Sequence, residues 1–204
     1  MAEIREPQKS NSIEKKRKIV EAGLKVFGEK GFYKTTTVEI AKVAGVSTGI
    51  VYSYFKDKKD IFLHALRLYF GNIFLPMEQA LQSVEPPIDL ENTVRAFIQI
   101  TIRSHKENMT AHEEMIAMSH LDEDVHKLFM DVEREITATV ARYLRANGFD
   151  NGNLQEKTHI AYNLVETLCH EYVYHRHSYI DYDVMIEETV GLLVSLLDSS
   201  HCTK

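Results

Sequence analysis

Residues 36–58 read TTVEIAKVAGVSTGIVYSYFKDK, and this stretch decides the fold. Thr36 can cap a helix, and Glu39 three residues later completes a capping box that satisfies amides left unpaired at a helix start. The helix so begun is short and ends near Gly45, a residue that tolerates the positive φ of a tight turn. Ser47 can cap a second short helix running to about Phe55. Ala41 is small where the two would cross, and Val38, Ile40, Val43, Val46 and Val51 are expected to fix the crossing. Two short helices joined by a tight turn make a helix-turn-helix, whose second helix can enter the major groove and meet base edges.

The outward set of that second helix is expected to be Ser47, Thr48, Gly49, Tyr52, Ser53 and Tyr54, which can hydrogen-bond or allow close backbone approach. Helix starts attract phosphate, and Lys56, Lys58 and Lys59 add positive charge just beyond. Singly, the tyrosines read as packing aromatics and the lysines as solvated charge. In this order, together, they read as DNA contacts.

The charge distribution agrees. The 204 residues carry a net charge of −6, but residues 1–64 carry +5 and residues 65–204 carry −11. A basic first third joined to an acidic remainder suits a polyanion at one end and something else at the other. Hydrophobic residues make up 44%, enough for a core. No apolar run approaches the length of a membrane span, and the polar start MAEIREPQKSNS has no apolar leader segment, so no membrane association and a cytoplasmic location are expected. Cys169 and Cys202, far apart, form neither a zinc knuckle nor a disulfide framework; they read as a core residue and a disordered tail residue.

Nearly every other segment has helical spacing. Ile13, Val20, Leu24 and Phe27 mark a first helix stopped by Gly31. Asp57 can cap a fourth, from about Lys58 to Leu81, which Pro76 is expected to kink or end. Pro86-Pro87 marks a loop. A fifth helix follows from about Leu90 and a short sixth over Met109–Ser119. A seventh carries Val125, Leu128, Phe129, Val132, Ile136, Val140, Tyr143 and Leu144, and is closed by Gly148 with Phe149. An eighth spans roughly Gln155–His177 and a ninth roughly Tyr182–Asp198. The expected fold is all-α with about nine helices: a helix-turn-helix domain over 1–58 and an effector-binding and dimerisation domain over 59–204.

Residues 13–64 resemble the TetR family of regulators. The runs AGLKVFGEKGFYKTT and VEIAKVAGVSTGIVYSYFKDKKDIF carry the likeness, with Phe27, Gly31, Thr36, Ala41, Gly45, Val46, Tyr52, Phe55 and Lys58 all in place. The resemblance implies phosphate contacts from Thr36 and Thr37, base contacts from Ser47, Thr48 and Gly49, and phosphate binding by Tyr52, Tyr54 and Lys58. Position 54 is often His in the family and is Tyr here; position 51 is often Leu and is Val here. No relative's operator sequence therefore carries over. The resemblance also implies a dimeric repressor on an inverted-repeat operator, with a small-molecule effector pocket in the later helices.

Phe74, Met77, Phe97, Met109, Met115 and Phe129 are candidates for that pocket, since Met and aromatic residues line adaptable apolar sites; ordinary core packing is the alternative. The eighth helix adds a polar stripe of His159, Asn163, Glu166 and His170, read as solvent-facing, as effector contacts, or as part of a metal site. The last two helices are apolar over a wide arc, which suggests burial on two sides, one against a second subunit. Leu164, Leu168, Val190, Leu193 and Leu197 are the expected dimer contacts, with burial inside the monomer as the alternative. No phosphate loop, nucleophile elbow, kinase or metalloprotease pattern occurs, so no enzyme, cofactor or metal is expected. The alternative is a DNA-binding protein whose C-terminal half is a metal-dependent or ligand-free module.

Overall fold

The computed structural model describes residues 10–83, 87–107, 109–149 and 152–198. Among them the chain forms nine α-helices and no strand: α1 (Ser10–Lys30), α2 (Thr37–Ala44), α3 (Thr48–Tyr54), α4 (Lys58–Gln82), α5 (Leu90–Glu107), α6 (Met109–Ser119), α7 (Glu123–Ala146), α8 (Leu154–Tyr174) and α9 (Tyr182–Leu197). Pro86 and Cys202 lie outside the described residues, as does the side chain of Met109.

The helices divide into two compact units. One holds α1–α3, α4 to Asn72, α6 and α7 to Met130; the other holds α4 from Ile73, α5, the rest of α7, α8 and α9. The division expected after Lys58 differs because α6 packs on α1 and belongs with the helix-turn-helix.

The first unit is built on an aromatic core. The Phe62 ring meets Phe27 edge-on at 5.0 Å and Phe32 at 4.9 Å. Ile19, Ile40, Val51, Phe55 and Ile61 are fully buried around them. Gly23 lets α4 approach α1, since a β-carbon there would lie 2.8 Å from the Ile61 Cγ2 methyl. In the second unit α5, α8 and α9 pack pairwise. Ile98, Leu154, Val165, Leu168, Cys169, Val190 and Leu193 form their core, each large aliphatic side chain contributing about 1.5–3 kcal/mol by burial. α7 ends in a glycine motif: Gly148 has φ 91° and the Phe149 N–H donates to Leu144 O at 3.1 Å.

Three expectations are corrected. Pro76 does not end α4, which continues to Gln82. α8 stops at Tyr174 with His175 as its C-terminal cap, so His175 and His177 are not helical. Leu168, Val190, Leu193 and Leu197 are at most 4% exposed within the single chain; they face its own core and are not available to a second subunit.

Candidate functional site

Local chemistry sets the helix-turn-helix. Thr36 has extended backbone, and its Oγ1 accepts from the Glu39 N–H, while Glu39 accepts from the Thr36 N–H at 3.0 Å, so the capping box is complete. Gly45 closes α2 in the left-handed region with φ 67°, and the Val46 N–H donates to Ala41 O at 3.0 Å. Ser47 then caps α3, its Oγ accepting from the Ile50 N–H at 3.3 Å. The two helices are tied across the turn by Thr37 Oγ1 and Tyr52 Oη, 2.9 Å apart.

α3 presents Ser47, Gly49 and Tyr52 as exposed and Thr48 and Ser53 as half-buried. The Ser53 hydroxyl donates to Ile50 O at 2.7 Å. Nothing lies near Gly49 that a β-carbon would strike except Ser47 Oγ at 3.9 Å, so the backbone is open there. Tyr54 corrects the expected outward set: it is 8% exposed and belongs to the core, because a seven-residue helix lying on its partner must bury one flank. Val38 and Val43 correct the expected crossing contacts; they are half-exposed or more, and the crossing rests on Ile40, Ala41 and Val51.

Lys58 is the larger correction. Its Nζ donates to Phe32 O at 2.7 Å and Thr35 O at 2.9 Å, and sits 4.4 Å from the Phe32 ring centroid. The ammonium is turned inward to hold the turn between α1 and α2. Lys59 is also engaged, 2.7 Å from both Asp122 and Asp124. Lys34, Lys42 and Lys56, on or beside the helix-turn-helix, are exposed and form no ion pair with a described residue, which leaves them open to a polyanion. Sequence spacing alone does not separate them from Lys58.

The same turn has a second tie that the sequence conceals. The Glu114 carboxylate on α6 accepts the Phe32 N–H. It occupies the space a β-carbon would take at Gly31, whose φ is 79°. Thr35 Oγ1 donates to Gly31 O at 2.7 Å. The start of α2 is thus set by α4, by α6 and by its own cap.

Glu39 is held down to about 2, first by the hydrogen bond from Lys30 at 2.5 Å and then by the Thr36 N–H. A carboxylate whose folded pKa lies below its ordinary 4.5 contributes stability that is complete above that value and lost as pH falls through the folded one. α2 is therefore expected to loosen between about pH 4.5 and about 2. Glu39→Gln should flatten this part of the acid limb, read from the exchange of the Thr36 and Glu39 amides. An acid limb identical in both proteins would remove Glu39 from the cap.

The second unit holds an apolar cavity of about 60 Å³, partly open to solvent. Leu81 of α4, Val94 and Phe97 of α5, Ile136, Val140 and Tyr143 of α7, Ala161 and Val165 of α8, and Leu193 and Leu197 of α9 line it. Of the pocket candidates named from sequence, Phe97 alone is on this wall. Met77 is buried and Phe74 half-buried elsewhere on α4. Met115 is core in the first unit, where Phe129 stacks edge-on with Phe70 at 5.2 Å. The polar stripe of α8 does not converge on the cavity. Asn163 is exposed and donates to His159 O at 3.0 Å, and His159 lies 3.7 Å from Glu133. Glu166 lies 3.4 Å from His105 Nε2. Burial disfavours the charged imidazole of His105, but Glu166 outweighs it and holds the pKa above the ordinary range. His170 stacks on Tyr174 at 4.7 Å and on His175 at 5.3 Å. Glu166 thus pairs with His105, while His170 packs against Tyr174 and His175. Cys169 is fully buried, and its thiol is pushed up by burial first and by the Glu166 charge second. Tyr143 is pushed up by burial.

A family model described as bacterial regulatory proteins of the tetR family matches residues 19–65. The chain is 28% identical over 134 residues to the HTH-type transcriptional regulator HbdR of Aromatoleum sp. (strain CIB), covering 65% of this chain and 57% of that relative. It is 23% identical over 144 residues to the fatty acid metabolism regulator protein of Bacillus subtilis (strain 168), covering 68% and 70%. A chain from Mesorhizobium loti MAFF303099 assigned to the TetR family superposes with a TM-score of 0.77 at 18% identity, covering 92% of this chain and 98% of that one. Residues 19–65 thus match the DNA-binding region of the tetR family, and the chain is similar to TetR-family transcriptional regulators in sequence and fold. The match spans just over half the length of HbdR. The helix-turn-helix of α2 and α3 lies inside the matched segment. No helix among the chain's described residues is long and apolar enough to cross a membrane.

Proposed function

We propose that this regulator is a dimeric repressor that binds an inverted-repeat operator through α3 and is released by a small apolar ligand held in the second unit. The cavity carries the ligand reading. It is lined by five helices and its exposed wall is apolar, the form of a small-molecule site. Leu81 on the cavity wall and Lys58 at the α1–α2 turn lie on one continuous helix, α4. A ligand that displaces Leu81 therefore acts on the helix that holds the turn. It shifts the population only by its difference in affinity for the DNA-bound and free states, typically about 1–3 kcal/mol.

The dimer reading rests on what α8 and α9 leave uncovered. Ile160 and Leu164 lie one turn apart on α8, and Val184 and Leu192 two turns apart on α9; all are exposed, Leu192 to 62%. A second copy would cover apolar surface that α5, α8 and α9 leave open. Ser47, Thr48, Gly49 and Tyr52 are the proposed groove-facing residues, with Thr36, Thr37 and Ser53 beside them. Lys34, Lys42 and Lys56 are the proposed phosphate contacts.

Selection of bound DNA from random sequence tests the proposal. The recovered sites should be inverted repeats, with half-site centres roughly 34–36 Å apart if docking is simple. Footprinting should show both halves protected together. Recovery of a single asymmetric half-site bound by a monomer would overturn the dimeric reading.

A further inference from the structure

We infer that the ligand of this cavity is a neutral, mostly hydrocarbon molecule carrying one hydrogen-bond acceptor, which Tyr143 takes. The inference rests on the cavity being the effector site.

The lining excludes charge. No Asp, Glu, Lys, Arg or His contributes to the wall. A carboxylate or an ammonium carried to the inner wall would leave water and meet no counter-ion, a strongly unfavourable transfer. Glu166, the residue that could favour a cation, lies beside His105 instead.

The lining also offers almost no free hydrogen-bonding group. Thr93, Thr137, Thr158 and Tyr162 are also on the wall; Tyr162 is engaged with a neighbour, and the three threonine hydroxyls donate to the carbonyls of Asp89, Glu133 and Leu154, each at 2.7 Å. Tyr143 differs from them. Its side chain forms part of the wall, while its hydroxyl is shut off from solvent with no hydrogen-bond partner among the described residues. Most buried polar groups in folded proteins are paired, and an unpaired one calls for an explanation. Burial keeps this phenol protonated at neutral pH, so it is a donor in want of an acceptor. The empty wall is carbon throughout, so the ring must turn slightly to bring the hydroxyl to the ligand. One carbonyl or ether oxygen completes the pairing. The rest of the molecule needs only hydrocarbon to match Leu81, Val94 and Val165. The cavity is several times the roughly 10–15 Å³ that a water centre needs, so a short chain fits first.

The test uses the full chain and a matched set of probes: 2-alkanones of four to ten carbons, and the alkanoates, alkylamines and hydrocarbons of equal length. Thermal stability and calorimetric affinity are read at neutral pH. At the best-fitting length the alkanone should bind at least about tenfold more tightly than the alkanoate or the amine. Tyr143→Phe keeps the ring and removes the unpaired hydroxyl, so it should fold with unchanged or higher thermal stability. Its alkanone affinity should fall roughly three- to tenfold, the usual worth of one hydrogen bond, with its hydrocarbon affinity unchanged. Tighter binding of the alkanoate or amine would overturn the inference. So would unchanged alkanone affinity in Tyr143→Phe, or a failure of every probe to bind. Tyr143-dependent alkanone binding that leaves operator affinity unchanged would uphold the ligand class and defeat the effector reading instead.

Discussion

Leu193→Glu is expected to unfold the second unit, while Leu192→Glu is expected to leave it folded and make the protein monomeric. The two residues are sequence neighbours on α9, and a helix turns about 100° between them. Leu193 is 2% exposed within the core formed with α5 and α8. A carboxylate there has no partner and no water, which places the change in the class that costs about 4–5 kcal/mol or more. At roughly 2–4 °C per kcal/mol for a chain of this size, the melting temperature should fall by roughly 10–20 °C. Leu192 is 62% exposed in the single chain. A charge there costs little in a monomer and a great deal in an apolar interface between copies. Circular dichroism melts and light scattering separate the outcomes. Leu192→Glu should melt near the monomer limit with full helicity, scatter at half the mass, and lose most of its operator affinity because one half-site no longer reinforces the other. A stable Leu193→Glu dimer would contradict the packing. A Leu192→Glu dimer with normal affinity would move the interface elsewhere.

That contrast shows how far the sequence could be read. The apolar arc on α9 was evident, but an arc does not say which of its flanks meets the chain's own helices. Leu193 and Leu192 are equivalent in composition and differ through contacts made by α5 and α8, the former nearly a hundred residues away in sequence. The helix-turn-helix was far more legible because its signals are local: Thr36 with Glu39, Gly45, and Ser47 each act within four residues. Tyr54 escaped that reading because burial on a short helix depends on the helices it packs against, here α1 and α2. The cavity escaped it almost wholly. Its wall is drawn from five helices, and the Met and aromatic residues that suggested a pocket are mostly core elsewhere, so residue type was a weaker guide than convergence. Pro76 lies inside α4, which runs to Gln82, close to the Leu81 end that the helical spacing predicts.

Lys58→Ala should destabilise the first unit, whereas Lys56→Ala should leave its stability alone and act on DNA binding through salt. The Lys58 ammonium donates to two backbone carbonyls, Phe32 O and Thr35 O, and lies over the Phe32 ring. Hydrogen bonds to a charged group contribute about 1.5–3 kcal/mol each, and losing the donor leaves both carbonyls dependent on water. The site is only partly buried, so water recovers some of this, and a loss of about 2–3 kcal/mol is expected. The turn it holds leads directly into Thr36 and Thr37, so loosening it should weaken binding to every DNA sequence alike. Because the ammonium faces the protein, the dependence of affinity on salt should keep the wild-type slope. Lys56 is exposed and forms no ion pair with a described residue. If it meets a phosphate, its removal should lower the slope of log affinity against log salt by about 0.9, one counter-ion released fewer, at unchanged denaturation midpoint. Denaturant melts and salt titrations of operator binding decide between the roles. A reduced salt slope in Lys58→Ala at wild-type stability would return Lys58 to the DNA face, and the inward hydrogen bonds would then have to break when DNA binds.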